Sequence, residues 1–179
     1  MANRLCYPMV AVPEYLVSTI RVPAGVILKA GDVVLADAAD SSISGNFSVL
    51  APVEPATANL GEQMAIVING GWEQLPDGRR PSGQPDYTKY EFIENDVVTI
   101  VFLAPQMTFQ ISFDCVNGTP VVGNVLTPVD GSYQMDVDTT VPAGTFSSLA
   151  VVALKYFRLG GKFGAEFANA MVAKVKNPS

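Results

Sequence analysis

The sequence has no histidine among its 179 residues, and this absence excludes several kinds of functional site. Ser-His-Asp and Cys-His nucleophile systems, histidine general bases and histidine-ligated metal sites all need that side chain. Cysteine is almost as scarce, since Cys6 and Cys115 are the only two. Two cysteines without histidine do not make a zinc site, and the chain lacks the cysteine density of a secreted scaffold. We therefore expect two small buried thiols, with a single disulfide as the alternative.

Charged residues are few, and basic ones are the rarer kind. Lys and Arg total 11 against 17 Asp and Glu, which gives a net charge of −6. A protein that binds duplex nucleic acid usually presents a basic face, so we expect no nucleic-acid partner. Charged residues make up 16% of the chain and hydrophobic residues 49%, the opposite of the balance that produces disorder. Most of the chain should therefore fold.

Long apolar runs are also missing. Pro8, Pro13 and Glu14 interrupt the start of the chain, so we expect no signal peptide. The longest uncharged stretches, Val97 to Phe113 and Thr139 to Leu154, contain proline and polar residues and fall short of the ~18 apolar residues of a membrane-spanning helix. We therefore expect a soluble protein that is made in the cytoplasm and has no membrane partner.

The patterns that are present are those of short β-strands. Residues Thr108 to Asp114 alternate, with Phe109, Ile111 and Phe113 on one face, and Val97 to Leu103 is β-branched and aromatic. Thirteen prolines and fifteen glycines suit many short strands better than long helices. The predicted fold is mainly β, an antiparallel β-barrel or sandwich of short strands with at most a short helix. Further predicted strands are Val26 to Leu28, Asp32 to Leu35, Met64 to Ile68, Val121 to Leu126 and Leu149 to Phe157.

Two features bear on the domain organisation. The segment Gly164 to Lys176 is rich in alanine, which favours a helix, but its Met-Val-Ala-Lys-Val-Lys end favours a closing strand, which we prefer. Val22-Pro-Ala-Gly25 recurs as Val141-Pro-Ala-Gly144. Recurrent turn chemistry accounts for this repetition, and two related β subdomains are the alternative. We predict one β-rich domain over residues 1–179, with room for two intertwined subdomains.

Residues 69–90 stand apart as a Gly/Pro-rich arm with the sequence NGGWEQLPDGRRPSGQPDYTKY. A structureless stretch of this length inside a compact domain is uncommon, and such segments are usually binding loops, arms or disordered. A surface loop without a role is one interpretation. In the other, the arm orders against a partner, with Trp72 and Tyr87 as apolar anchors and Arg79 or Arg80 meeting a carboxylate.

Charge is distributed unevenly along the chain. Residues 1–29 carry a net charge of +2, residues 30–138 carry −12 and residues 139–179 carry +4. An acidic body with a basic end can pair head to tail or dock on a charged lattice of partners. Arg158 and Lys162 in the basic end are therefore a second set of candidate partner contacts, although solvated surfaces would give the same pattern.

No motif of an enzyme, metal site or cofactor site is convincing. Gly160-Gly-Lys-Phe-Gly164 lacks the spacing of a phosphate-binding loop and has no Ser or Thr after Lys162. Asp136 and Asp138 alternate with Val137 and so share one side of a strand. Calcium needs six to eight oxygens, and nothing distinguishes this pair from other carboxylates as acid and base on a sugar. We expect no catalytic residue, metal or cofactor, and an enzyme using these two aspartates is the weakest of the hypotheses.

Two blocks of sequence resemble a known group of proteins. The first is Val22 to Leu35, VPAGVILKAGDVVL, and the second is Phe109 to Met135, FQISFDCVNGTPVVGNVLTPVDGSYQM. Both are similar to decoration (cement) and related head proteins of tailed bacteriophages, and together they cover about a quarter of the chain. In the second block the matching positions are Gly118, Val122, Gly123, Leu126, Pro128, Asp130, Gly131 and Tyr133. The arm and the alanine-rich end depart from the small decoration proteins.

The resemblance implies a structural virion protein on the capsid surface, present in the host cytoplasm during assembly. Its partner would be the major capsid protein, and it would itself be a homo-oligomer, a trimer at a lattice point. A mean hydropathy of +0.27 fits a protein with much intersubunit surface. A head-fibre or tail-associated β protein, or a carbohydrate- or receptor-binding β-sandwich with Trp72 stacked on a sugar, remain alternatives.

Overall fold

The computed structural model describes residues 4–36, 49–50, 52–56, 61–68, 91–145, 148–159 and 166–176; for residues 49, 157–159 and 166–168 it describes only the backbone. This part of the chain forms twelve strands and two 3-10 turns, Glu14–Leu16 and Phe113–Cys115. The strands are β1 (Cys6–Pro8), β2 (Val17–Arg21), β3 (Val33–Val34), β4 (Val49–Leu50), β5 (Ala65–Val67), β6 (Val97–Phe102), β7 (Thr108–Ser112), β8 (Val116–Asn117), β9 (Val125–Val129), β10 (Ser132–Asp138), β11 (Leu149–Leu159) and β12 (Glu166–Val175).

The strands form two sheets. The seven-stranded sheet has the order β1-β7-β12-β11-β9-β10-β8, and the five-stranded sheet has the order β3-β5-β6-β2-β4. All neighbouring pairs are antiparallel except β8 with β10 and β2 with β4, which are parallel edge pairs. The fold is therefore mainly β, as predicted, and its arrangement is that of a sandwich of two sheets.

The main core lies between the two sheets. Alternation along each strand sends every second side chain inward, so that Phe109 and Ile111 of β7 meet Ile66 and Val101 of the five-stranded sheet. All four side chains are fully buried. The two cysteines lie in this core as free thiols, which confirms the preferred prediction for them.

The five-stranded sheet is apolar on its second face as well. Val98 and Ile100 of β6, which alternate with the inward Val101, pack with Leu28 and Phe92 in a second buried cluster. Leu28 and Phe92 form an isolated antiparallel bridge, with N–H···O distances of 3.0 and 2.8 Å in the two directions. A sheet buried on both faces explains why β5 is apolar throughout and β6 is apolar except at Thr99, which alternation alone does not explain.

Several sequence-based strand boundaries were wrong. The strand predicted to run to Asp114 ends at Ser112, because the Phe113–Cys115 turn follows it. Val121 to Asn124 forms a turn, closed by the bond from Asn124 N–H to the Val121 carbonyl (3.1 Å), so β9 starts only at Val125. The preference for a strand at the C-terminal end was correct, since β12 spans ten residues. No helix of the described residues is long and apolar enough to cross a membrane.

Candidate partner-binding surface

The β11–β12 hairpin extends beyond the rest of its sheet. Of the described strands, β9 pairs with β11 only at Leu149 and Ala150, and β7 pairs with β12 only from Ala170 to Lys174. The two strands nevertheless continue to pair with each other as far as Leu159 opposite Glu166. We call this extension, residues 152–159 and 166–171, the ribbon; Ala170 and Met171 at its base still pair with β7, and the rest is two-stranded among the described strands. An isolated two-stranded hairpin is marginally stable at best in water, so the two-stranded part of the ribbon would gain stability from a further contact.

One face of the ribbon exposes apolar side chains. Leu154 is paired with Met171, whose side chain is fully buried in the core, so Leu154 and Tyr156 lie on the face that continues the inner face of the sheet. This part of the face is not covered by the core, since Leu154 is 48% exposed and Tyr156 is 72% exposed. The ribbon thus offers an aromatic and an aliphatic side chain next to an existing core, which is the composition of an interface centre.

A second exposed apolar surface lies in the segment that crosses from β1 to β2, residues 9–17, which we call the crossover. Its exposed large side chains are Met9, Val10, Tyr15 and Val17. Tyr15 is 81% exposed, and with Tyr156 it is one of the two most exposed large apolar side chains of the described residues. Glu14 is the only charged residue between Leu5 and Ile20. Monomeric proteins tolerate single exposed apolar residues, but four within nine residues of chain make this segment a candidate interaction surface.

The ribbon and the crossover lie at opposite ends of the seven-stranded sheet. Met9 N–H bonds the Thr108 carbonyl at 2.8 Å, and Thr108 is paired with Lys174. Tyr156 is paired with Asn169, five positions away along β12. At ~3.4 Å per residue the two levels are about 17 Å apart along the strand. Tyr156 and the start of the crossover in one chain are therefore too far apart to touch.

Most of the residues predicted from the sequence as partner contacts lie outside the part of the chain that the structure describes. Trp72, Arg79, Arg80 and Tyr87 of the predicted arm, and Lys162, lie outside the described residues. The backbone of Arg158 lies in the ribbon, opposite Phe167 in the ladder. Tyr15, Leu154 and Tyr156 were not among the residues predicted from the sequence. For Leu154 and Tyr156 the sequence offered one signal, since the predicted strand Leu149 to Phe157 is longer than the other predicted strands.

A buried polar cluster joins the two sheets near the start of the ribbon. The Arg4 guanidinium forms an ion pair with Asp32, and its Nε donates to the Asp114 carbonyl at 2.9 Å. The second Asp32 oxygen accepts a bond from Lys29 N–H at 2.8 Å. Arg4 precedes β1 of one sheet and Asp32 precedes β3 of the other, so the ion pair connects them across the core. Burial raises the pKa of the Asp32 carboxyl, although Arg4 acts in the opposite direction.

Cys115 completes this cluster. Its Sγ lies 3.2 Å from Ser112 Oγ and 3.2 Å from the Ala30 carbonyl oxygen. Burial raises the pKa of the Cys115 thiol from 9.0 to about 11, and it also raises the pKa of Cys6. A thiol in this condition is protonated at neutral pH and is a poor nucleophile. The cluster is therefore structural in character and offers no reactive cysteine.

We expect the Cys115 thiol to make stability fall on the alkaline side. Its stabilising contribution is complete below pH 9, where the thiol is protonated in both states, and is lost as pH rises to about 11, because only the unfolded chain ionises readily. The loss is on the order of 2 kcal/mol. Urea unfolding at a series of pH values from 8 to 11 measures it. Cys115→Ala should flatten the alkaline slope relative to the parent protein, and equal slopes would contradict the assignment.

The aspartates considered for metal binding or acid–base chemistry have local partners. Asp136 accepts a bond from Asn117 Nδ2 at 3.0 Å, and Asp138 accepts one from Thr127 Oγ1 at 2.8 Å. These contacts tie β10 to β8 and to β9. Within the described ranges, no group of three or more Cys, Asp or Glu side chains is placed to hold a metal ion. The geometry therefore gives the two carboxylates a role in strand pairing.

The first block of resemblance contains a turn that recurs elsewhere in the chain. Asp32 closes the turn Lys29 to Asp32, and Asp96 closes the turn Ile93 to Asp96 by accepting a bond from Ile93 N–H at 2.8 Å. Each turn has a positive φ at its third residue, and each leads into a Val-Val strand start. The sequence signal is Gly-Asp-Val-Val and Asn-Asp-Val-Val, which the sequence analysis did not compare. The motif therefore marks a turn before a strand.

Comparisons with protein-family models, with curated proteins and with solved structures found no significant match to this chain.

Proposed function

We propose that this protein is a structural, non-enzymatic component of a tailed-bacteriophage particle that binds the outer surface of the capsid and stabilises the shell. The proposal starts from the two blocks of sequence that resemble decoration proteins. The observation that carries it furthest is the exposed apolar surface of the ribbon and the crossover, on a body whose two sheets are closely packed. Such a body suits assembly, since its apolar surfaces find their partners in other subunits.

The major capsid protein is the proposed partner, and the predicted arm is the proposed contact with it. Trp72 and Tyr87 would supply the apolar anchors, and Arg79 and Arg80 would meet carboxylates of the shell. Arg158 and Lys162, in the basic C-terminal part of the chain, are a second set of proposed partner contacts. We further propose a homo-oligomer, a trimer, because a closed cyclic assembly matches a symmetric position of a shell.

Quantitative peptide mass spectrometry on gradient-purified virus particles tests this proposal. We expect a copy number that stands in a lattice-compatible ratio to the main shell protein. A few copies per particle would instead assign the chain to a fibre or tail. Complete absence from purified particles would overturn the virion proposal and leave the carbohydrate-binding alternative.

The arm contact has a separate test in particles from which the protein has been removed. Added protein should cosediment with the shells and raise the temperature at which they release DNA. We expect Trp72→Ala combined with Arg79→Ala and Arg80→Ala to lose most of this binding, since interface anchors of these types dominate affinity. Val122→Ser, a change at an exposed position elsewhere, is the control. Unchanged cosedimentation of the triple variant would refute the arm as the shell contact.

A further inference from the structure

We infer that the ribbon of one copy binds the crossover of a second copy, so that the homo-oligomer is built from a head-to-tail contact. This inference rests on the proposed homo-oligomer and names the two surfaces that form it. Its principal contact is Tyr156 and Leu154 of one copy against Tyr15 and its apolar neighbours of the next. The shell is not part of this contact.

The ribbon has few neighbours of its own. Beyond Ala170 its two strands have no further described strand beside them, and a two-stranded hairpin on its own is barely stable in water, so this part depends on the sheet behind it and would gain from a partner. Its exposed face continues the inner face of the sheet, on which Met171 is fully buried in the main core. A second copy bound there would bury Leu154 and Tyr156, as the core buries Met171.

The matching surface, the crossover, is present on the same molecule but at the other end of the sheet. It exposes Tyr15 with three aliphatic or thioether side chains, and its first residue, Met9, lies about 17 Å from the level of Tyr156 along the strand direction. Two complementary surfaces at opposite ends of one chain produce a heterologous contact between copies. Such a contact closes into a ring when its rotation allows, and otherwise continues as a filament.

Charge favours this contact over pairing of one ribbon with another. The ribbon carries Lys155 and Arg158 against Glu166, a net charge of +1, whereas Glu14 is the only charged residue of the crossover. Two ribbons side by side would bring like charges together, which destabilises cross-strand pairs. Lys174 is half-buried on β12 at the level of Met9, and its positive charge weakens the attraction between the ribbon and the crossover. It does not affect the contact between the apolar side chains. The apolar side chains therefore carry most of the proposed affinity.

The test measures self-association of the full chain without any shell. Sedimentation velocity and native mass spectrometry across a concentration series should show a defined oligomer. We expect Tyr156→Ser and Tyr15→Ser each to weaken self-association by at least about thirtyfold, as loss of a central aromatic anchor does. Val122→Ser is the matched control, since Val122 is also exposed but lies in the turn before β9. Circular dichroism verifies that each variant is folded.

Chemical cross-linking then identifies the two surfaces. Protein with Tyr156→Cys is mixed with protein carrying Tyr15→Cys and treated with a short bismaleimide, which joins two thiols without an oxidant. The native thiols are buried and protonated, so they should not react. We expect a cross-linked product from this mixture, and none when Val122→Cys replaces Tyr15→Cys.

Three results would overturn the inference: a monomer throughout the concentration series, an oligomer that neither serine variant weakens, or cross-links between two Tyr156→Cys chains. The proposed function fails separately, because a monomer that binds purified shells would refute only the ribbon contact. An open-ended series of masses with the expected cross-link would support the contact and contradict the trimer.

Discussion

Arg4→Met is expected to lower the free energy of unfolding by about 3–5 kcal/mol, because it leaves the carboxylate of Asp32 buried without its counter-ion. The Arg4 and Asp32 side chains are only 10% and 6% exposed, so water does not replace the lost partner. The Asp114 carbonyl also loses the bond from Arg4 Nε. Urea denaturation of both proteins at pH 7 measures the difference.

The control for this prediction is an ion pair on the surface. Lys29 Nζ lies 2.7 Å from Glu91 Oε1, but the two side chains are 38% and 48% exposed. Glu91→Gln should therefore cost no more than about 1 kcal/mol, the usual value of a solvated pair. Equal effects of Arg4→Met and Glu91→Gln would mean that the buried ion pair contributes no more than the surface one.

The Arg4→Met effect should also depend on pH. Removing the guanidinium takes away the interaction that lowers the pKa of Asp32, while the burial that raises it remains. A carboxyl whose pKa is raised in the folded state destabilises the protein as pH rises through that pKa, and this cost is absent below the pKa of the unfolded chain. The deficit of Arg4→Met should therefore shrink as the pH falls from 7 towards 4. A deficit constant over this range would contradict a buried ionised carboxylate.

Gly31→Ala is expected to be the second strongly destabilising change. A Cβ atom at residue 31 would lie 2.5 Å from Cys115 Cβ and 2.6 Å from Cys115 Sγ, so the core must shift. The φ angle of +87° adds strain, because side chains other than hydrogen disfavour this region. Together the two effects should cost about 2–5 kcal/mol.

Gly25→Ala separates the clash from the backbone strain. Gly25 has a similar φ of +77°, but a Cβ atom there would have no neighbour within 4 Å. Gly25→Ala should therefore show only the strain, about 1–2 kcal/mol. Parallel urea titrations of the two variants give the clash by difference. Equal stabilities would show that the core next to Cys115 accommodates a methyl group without cost.

The two changes matter for the proposed assembly because they act on the same region. Arg4, Gly31, Asp32 and Cys115 together hold β1, β3 and the end of β7 against each other. Ala170 and Ser112, which are paired, mark the level at which the ribbon leaves the sheet. The cluster therefore packs beside the base of the ribbon, and we expect a well-packed base to favour binding, because a binding segment is more effective when its orientation is set before the partner arrives.

Local patterns in the sequence were sufficient for the class of the fold and for much of its strand content. Alternation in Thr108 to Ser112 and the β-branched run of Val97 to Phe102 both mark real strands, because side-chain direction and backbone preference are local properties. The absence of histidine and the small number of cysteines follow from the sequence directly, and the prediction that both cysteines are buried thiols was confirmed. The resemblance to decoration proteins comes from the sequence alone and is still a prediction.

Only the tertiary structure decided which apolar residues are left exposed. Leu154 and Met171 are both apolar strand residues and are paired with each other, yet one is half exposed and the other fully buried. The main core extends over Met171 and does not reach Leu154. In the same way, Arg4 meets Asp32 across 28 residues of sequence, and Gly31 lies against Cys115. Periodicity determines the face on which a side chain lies, whereas burial depends on what distant parts of the chain bring to that face.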